Sequence, residues 1–159
     1  HQDDPKKCTA AKLCRLNQAR AISSLRKVSS KAVILNPFAN EVFSPDDRRH
    51  LCYGLVAIDC SWKRVDQVFG RGFKGFLRRL PLLLPANPIN YGHLSMLSSA
   101  EALAAGLYIA GFKDQAKKLL YVFKWGPNFF ILNEDALEEY SSAHSREEIL
   151  KVEHAYFQR

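Results

Sequence analysis

Apolar positions along this chain change their period several times, and the changes mark the elements. From Thr9 to Ser24 they recur at helical spacing, with Leu13, Leu16 and Ile22 turned inward and Thr9 where an N-cap is wanted. Ala32-Val33-Ile34-Leu35 is an unbroken apolar run, a buried strand stopped by Asn36-Pro37. Ser44-Pro45-Asp46-Asp47 reads as a helix start, with a cap, a proline at the first position and acids facing the dipole. A second buried strand is predicted over 54–58, and Ser61 then caps a helix carrying Trp62, Val65, Val68 and Phe69. A glycine-rich turn leads to a third strand over 80–84. Strands alternating with helices of this length predict an α/β layer built on a parallel sheet.

After Tyr91 the pattern turns wholly helical. Ser98-x-x-Glu101 and Ser145-x-x-Glu148 each match a capping box ahead of a helical run. Asn133 is placed to cap a helix through Tyr140, and Lys113 to Phe123 supplies another. The expected division is therefore an α/β part over 1–90 and an all-helical part over 91–159. No repeat or low-complexity stretch interrupts either part.

A length of 159 residues with 47% hydrophobic content suits one compact unit, or two small subdomains sharing a core. No apolar run approaches the roughly 20 residues that span a bilayer, and no secretory leader is visible. The chain opens on His1 without a methionine, so a segment is expected to have been removed or left out upstream. Cys8, Cys14, Cys52 and Cys60 form no C-x-x-C pair, which reads as reduced thiols and a cytoplasmic location.

Charge adds the first hint of a partner. The net +7 is concentrated in residues 1–92, where sixteen basic residues face seven acids, whereas 93–159 is slightly acidic. Eight basic residues and no acid lie between Pro5 and Asn40, and six face Asp66 alone between Lys63 and Arg79. A one-sided basic field of this kind attracts a phosphate backbone, and its alternative is a solvated basic face with no partner.

Several motifs dissolve on inspection. Gly70-Arg71-Gly72-Phe73-Lys74-Gly75 spells G-x-G-x-x-G, but a helix precedes it and a basic, proline-bounded segment follows, so a cationic loop is the better account. The five histidines show no metal-ligand spacing, so no metal is expected. Asp59-Cys60-Ser61-Trp62 stands out, because it ends a predicted strand of an open α/β sheet, where ligands bind. By itself Asp59 could equally cap a helix, Trp62 could be plain core, and Cys60 is structural.

These segments, read in order, carry a resemblance. Asp4-Pro5-Lys6-Lys7-Cys8-Thr9, Asp59-Cys60-Ser61-Trp62, Pro85-Ala86-Asn87-Pro88-Ile89-Asn90-Tyr91-Gly92, Lys124-Trp125-Gly126 and Phe129-Phe130-Ile131-Leu132-Asn133 resemble the small-subunit rRNA 3-amino-3-carboxypropyltransferase family of ribosome biogenesis. The resemblance implies a SPOUT-like parallel sheet with a deep trefoil knot and a monomeric enzyme. Its activity would move the 3-amino-3-carboxypropyl group of S-adenosylmethionine to N3 of an N1-methylpseudouridine in small-subunit rRNA, releasing 5′-methylthioadenosine. Its partner would be the rRNA or a pre-ribosomal particle. The strand that usually precedes Asp4-Pro5 in the family is absent here, and the usual basic or aromatic residues around Leu94-Ser95-Met96 are replaced.

Carried over by position, the resemblance places adenine among Leu35, Pro37, Trp62, Leu80, Leu97 and Ala102. Backbone near Ile58 and Leu80 would hold ribose and base, with Thr9, Ser98 and Ser99 at the methionine end and Val65 helping Trp62 to wall off the methyl. Asp59 would accept or orient the N3 proton. Lys6, Lys7, Lys12, Arg15, Lys63, Arg64, Lys74, Arg78 and Arg79 would hold rRNA phosphates. The competing readings are a non-catalytic basic RNA-binding or assembly module, and an rRNA methyltransferase of SPOUT type.

Overall fold

The structure, a computed structural model, describes residues 8–22, 25–58 and 74–157. Asp59, Cys60, Ser61, Trp62, Lys63, Arg64 and Val65, the helix expected after Ser61, and Lys6 and Lys7 lie outside the described residues. So does most of the glycine-rich turn.

The first helix, α1 (Thr9–Arg15), is half the expected length. Asn17 takes a left-handed φ of 55° and the Gln18 N–H turns back to the Leu13 carbonyl at 2.8 Å, which closes the helix early. Its cap is Cys8, whose Sγ accepts the Ala11 N–H, and not Thr9. The expected apolar runs then form strands. β1 (Val33–Leu35) is fully buried and lies between β2 (Leu55–Val56) and β3 (Phe76–Arg78), with both pairings parallel. The segment opening at Ser44-Pro45 forms a 3-10 helix, Pro45–Tyr53. Gly75 enters β3 at a φ of 108°, and a Cβ there would stand 2.8 Å from the Ala32 carbonyl, so only glycine fits.

Two expectations are corrected here. Among the described residues there is no SPOUT-like sheet with a deep trefoil knot: the sheet is a small one, in the order β2-β1-β3, with strands of two or three residues surrounded by helices. Nor is 80–84 a strand. Its backbone hydrogen bonds are satisfied by side chains and turns instead of a neighbouring strand. The Leu82 N–H donates to Glu153 Oε2 at 2.8 Å, and the Leu82 carbonyl accepts the Tyr140 hydroxyl at 2.9 Å. Leu84 exchanges two bonds with the Asn133 amide, at 2.8 and 2.9 Å. Ser95 closes a reciprocal pair with Leu83, its N–H donating at 2.8 Å. Pro81 and Pro85 have no N–H to place, which helps to keep this alternately buried and half-buried segment out of the sheet.

Helices α2 (Ser99–Ile109), α3 (Lys113–Leu120), α4 (Gly126–Leu132), α5 (Glu134–Ser142) and α6 (Arg146–Phe157) follow. Both capping serines act as expected, Ser98 Oγ accepting the Glu101 N–H and Ser145 Oγ the Glu148 N–H, each at 3.2 Å. One apolar cluster runs from Leu13 through Val33, Leu83 and Ala104 to Tyr140 and Ile149. Gly126 explains itself: a Cβ there would lie 1.9 Å from the Leu120 carbonyl, so the α3–α4 turn closes only around glycine.

Burial raises the ionisation of the Tyr140 phenol well above its ordinary value, with the Glu153 charge adding to it. A folded-state pKa raised in this way contributes stability present below the unfolded value of about 10 and lost as pH rises through it. The protein is therefore expected to unfold on the alkaline side, and Tyr140→Phe to flatten that limb. Melting temperature followed from pH 8 to pH 11 checks this, and an equal alkaline slope in both proteins would refute it.

Candidate functional site

In a parallel sheet all strands end on the same edge, and ligands of open α/β folds bind beyond it. The residues that leave that edge here are Asn36-Pro37 after β1, Ala57-Ile58 after β2, and Arg79-Leu80 after β3. The edge therefore gathers Leu35, Pro37, Ile58 and Leu80 from three separate stretches of sequence. Leu35 and Leu97 belong to the main apolar cluster, and Leu80 and Ala102 pack against it.

The amino end of α2 brings the polar groups. Thr9 Oγ1 accepts the Ala100 N–H at 3.2 Å, so Thr9 caps α2 instead of its own helix and stands beside Ser98 and Ser99. Beneath this corner lies a carboxylate with no solvent access. Glu101 Oε1 accepts the Ser98 N–H at 3.0 Å, the Ser98 hydroxyl at 2.9 Å and the Asn87 side-chain amide. Its Oε2 accepts the Ala86 N–H at 2.6 Å and the Asn87 N–H at 3.3 Å. Charge-assisted bonds from this many donors make up for the water a buried anion loses. The capping-box pattern flagged Glu101 as a helix start, but not that the same side chain clamps Ala86-Asn87 to α2.

The cations divide into two kinds. Arg15 and Lys74 are exposed, and Lys12 stands 5.0 Å from the Phe123 ring, which stacks on Trp125. Arg78 and Arg79 instead face acids of the protein. Arg78 Nε bonds buried Asp47 at 3.1 Å, and Arg146 bonds the same carboxylate at 2.9 Å. Arg79 grips Glu153 with two parallel bonds of 2.9 and 3.0 Å, and that partnership raises its pKa against the opposing cost of burial. Both arginines are thus paired with acids of the fold, which the count of positive charges could not reveal. Among the described residues no three His, Cys, Asp or Glu side chains are grouped to hold a metal, and no helix is long and apolar enough to cross a membrane.

Comparison with known proteins adds the following. Residues 33–157 match the family model described as "Ribosome biogenesis protein, C-terminal". The chain is 45% identical over 155 residues to the 16S rRNA aminocarboxypropyltransferase of Methanosphaera stadtmanae, covering 96% of this chain and 91% of that protein. It is 39% identical to the protein of the same name from Methanocaldococcus jannaschii, covering 100% and 93%. Among solved structures, the SAM-dependent rRNA:acp-transferase Tsr3 from Vulcanisaeta distributa superimposes with a TM-score of 0.84 at 48% identity, covering 89% of this chain and 78% of that one. The fold is thus that of this transferase, with the small parallel sheet and helices described above.

Proposed function

Because the chain belongs to the ribosome biogenesis family whose members include the 16S rRNA aminocarboxypropyltransferases, we propose that it is an S-adenosylmethionine-dependent enzyme transferring an aminocarboxypropyl group to small-subunit rRNA. The observation that supports this most is the 48% identity to a SAM-dependent rRNA:acp-transferase over 89% of the chain, at a TM-score of 0.84.

The groups on the sheet edge suit this donor. Leu35, Leu80, Leu97 and Ala102 belong to or pack against one apolar cluster, and in this reading they meet the purine together with Pro37 and Trp62, while backbone at Ile58 and Leu80 bonds base and ribose. Thr9 and Ser99 offer hydroxyls at a helix amino end, which favours a carboxylate, while Ser98, whose own hydroxyl is held by Glu101, caps that helix. S-adenosylmethionine supplies a sulfonium whose attached carbons are open to attack. With Trp62 and Val65 covering the methyl, orientation alone selects the aminocarboxypropyl carbon. N3 of an N1-methylpseudouridine forms the new bond as the carbon–sulfur bond breaks, and Asp59 takes the N3 proton. The products are the N3-alkylated N1-methylpseudouridine and neutral 5′-methylthioadenosine. Lys6, Lys7, Lys12, Arg15, Lys63, Arg64 and Lys74 hold phosphates in this reading, by charge and not by base identity.

The test is the nucleoside released when the full chain meets S-adenosylmethionine and small-subunit rRNA. Methylthioadenosine is expected; S-adenosylhomocysteine would mean methyl transfer, and neither would mean a binding module. Asp59→Asn is expected to slow single-turnover release about tenfold or more while the donor still binds. Full activity in that variant removes Asp59 from the chemistry.

A further inference from the structure

The two aromatic side chains most exposed among the described residues are Phe38 at 58% and Tyr91 at 62%. Each follows an Asn-Pro step whose asparagine is buried: Asn36-Pro37-Phe38, and Asn87-Pro88-Ile89-Asn90-Tyr91. Both asparagines fix the loop ahead of them. Asn36 Oδ1 accepts the Phe38 N–H at 2.8 Å, and Asn87 Oδ1 accepts the Asn90 N–H at 3.0 Å while its amide is held by Glu101. Phe38 leaves the carboxyl edge of β1, and Tyr91 lies on the segment that runs from β3 to the amino end of α2. Ile89, also 62% exposed, stands two residues before Tyr91.

Single exposed apolar residues need no explanation, but this pair is set apart by its backbone. Two loops anchored by buried polar groups hold large flat side chains in water, one directly after Pro37 at the sheet edge and the other on the loop that Glu101 ties to the amino end of α2. An enclosed active site reaches a ring nitrogen once the base is unpaired and turned out of its stack, and an aromatic face replaces the stacking lost. We propose that Phe38 and Tyr91 form the stacking platform that receives the extruded pyrimidine base, a step that rests on the rRNA-transferase reading above. Stacking tolerates any base, so the platform supplies grip, and the geometry of N3 at the donor carbon supplies the choice of atom.

The test uses the full chain and two probes of equal charge, a short oligouridylate and an abasic ribose-phosphate oligomer of the same length. Wild type should bind the oligouridylate at least about fivefold more tightly. Phe38→Ala and Tyr91→Ala together should erase that preference, leaving abasic binding, S-adenosylmethionine affinity and the melting curve unchanged, and Tyr91→Phe should retain it. A preference that survives the double variant, or a loss equal for both probes, overturns the platform. Methylthioadenosine release separates this from the reading beneath it. A wild type that prefers the base but releases none leaves the platform standing and the transferase reading failed. Undiminished release at limiting rRNA in the double variant refutes the platform alone.

Discussion

Glu101→Gln is expected to lower the melting temperature by roughly 6–12 °C and to weaken S-adenosylmethionine binding about tenfold. Every group facing this side chain is a donor: the Ser98 N–H and hydroxyl, both nitrogens of Asn87, and the Ala86 N–H. An amide NH2 placed on either side therefore meets donors, and two or three buried polar hydrogens lose their acceptor. At about 1–3 kcal/mol for each unsatisfied group, the loss reaches ~3 kcal/mol, which for a chain of this size corresponds to that shift. The effect on binding follows from position, because the carboxylate ties the 86–91 loop to the corner where Ser98, Ser99 and Thr9 meet. Melting and titration calorimetry separate the two consequences. An unchanged melting curve would refute the network, and a lower melting temperature with normal donor affinity would detach the network from the binding site.

What the sequence made legible was local. Val33-Ile34-Leu35 became the central strand because an unbroken apolar run has nowhere to go but the interior. Ser98 and Ser145 cap their helices because the partner N–H lies only three residues away. The misreadings share the opposite cause. Leu80 to Leu84 looks like a strand, yet its hydrogen-bond partners are Asn133, Tyr140 and Glu153, 49 to 71 residues further on. Arg78 and Arg79 likewise pair with acids 31 and 74 residues away, which a count of charges along the chain does not show. The candidate site divides likewise: the sheet edge and the Thr9–Ser98 corner could be anticipated as separate pieces, but not that Thr9 caps the other helix.

Arg79 offers the sharpest decision between a surface charge and a brace. If Arg79 braces the fold, Glu153→Ala is expected to cost about 3–5 kcal/mol, since it strips a largely buried guanidinium of its partner and leaves the Leu82 N–H without an acceptor. The melting temperature should then fall by roughly 10 °C. Arg79→Ala should cost about as much, because Glu153 is only 4% exposed and keeps the Leu82 N–H alone. The double variant should be less destabilised than the sum of the two, because neither charge is then left buried and unpaired. A phosphate-binding Arg79 would behave differently. Its alanine variant would melt like wild type, bind rRNA more weakly and show a shallower salt dependence, and the cycle with Glu153 would be additive. Melting curves for the four proteins, with rRNA binding measured across a salt series for Arg79→Ala, distinguish the outcomes. Additivity with a reduced salt slope would return Arg79 to the RNA face.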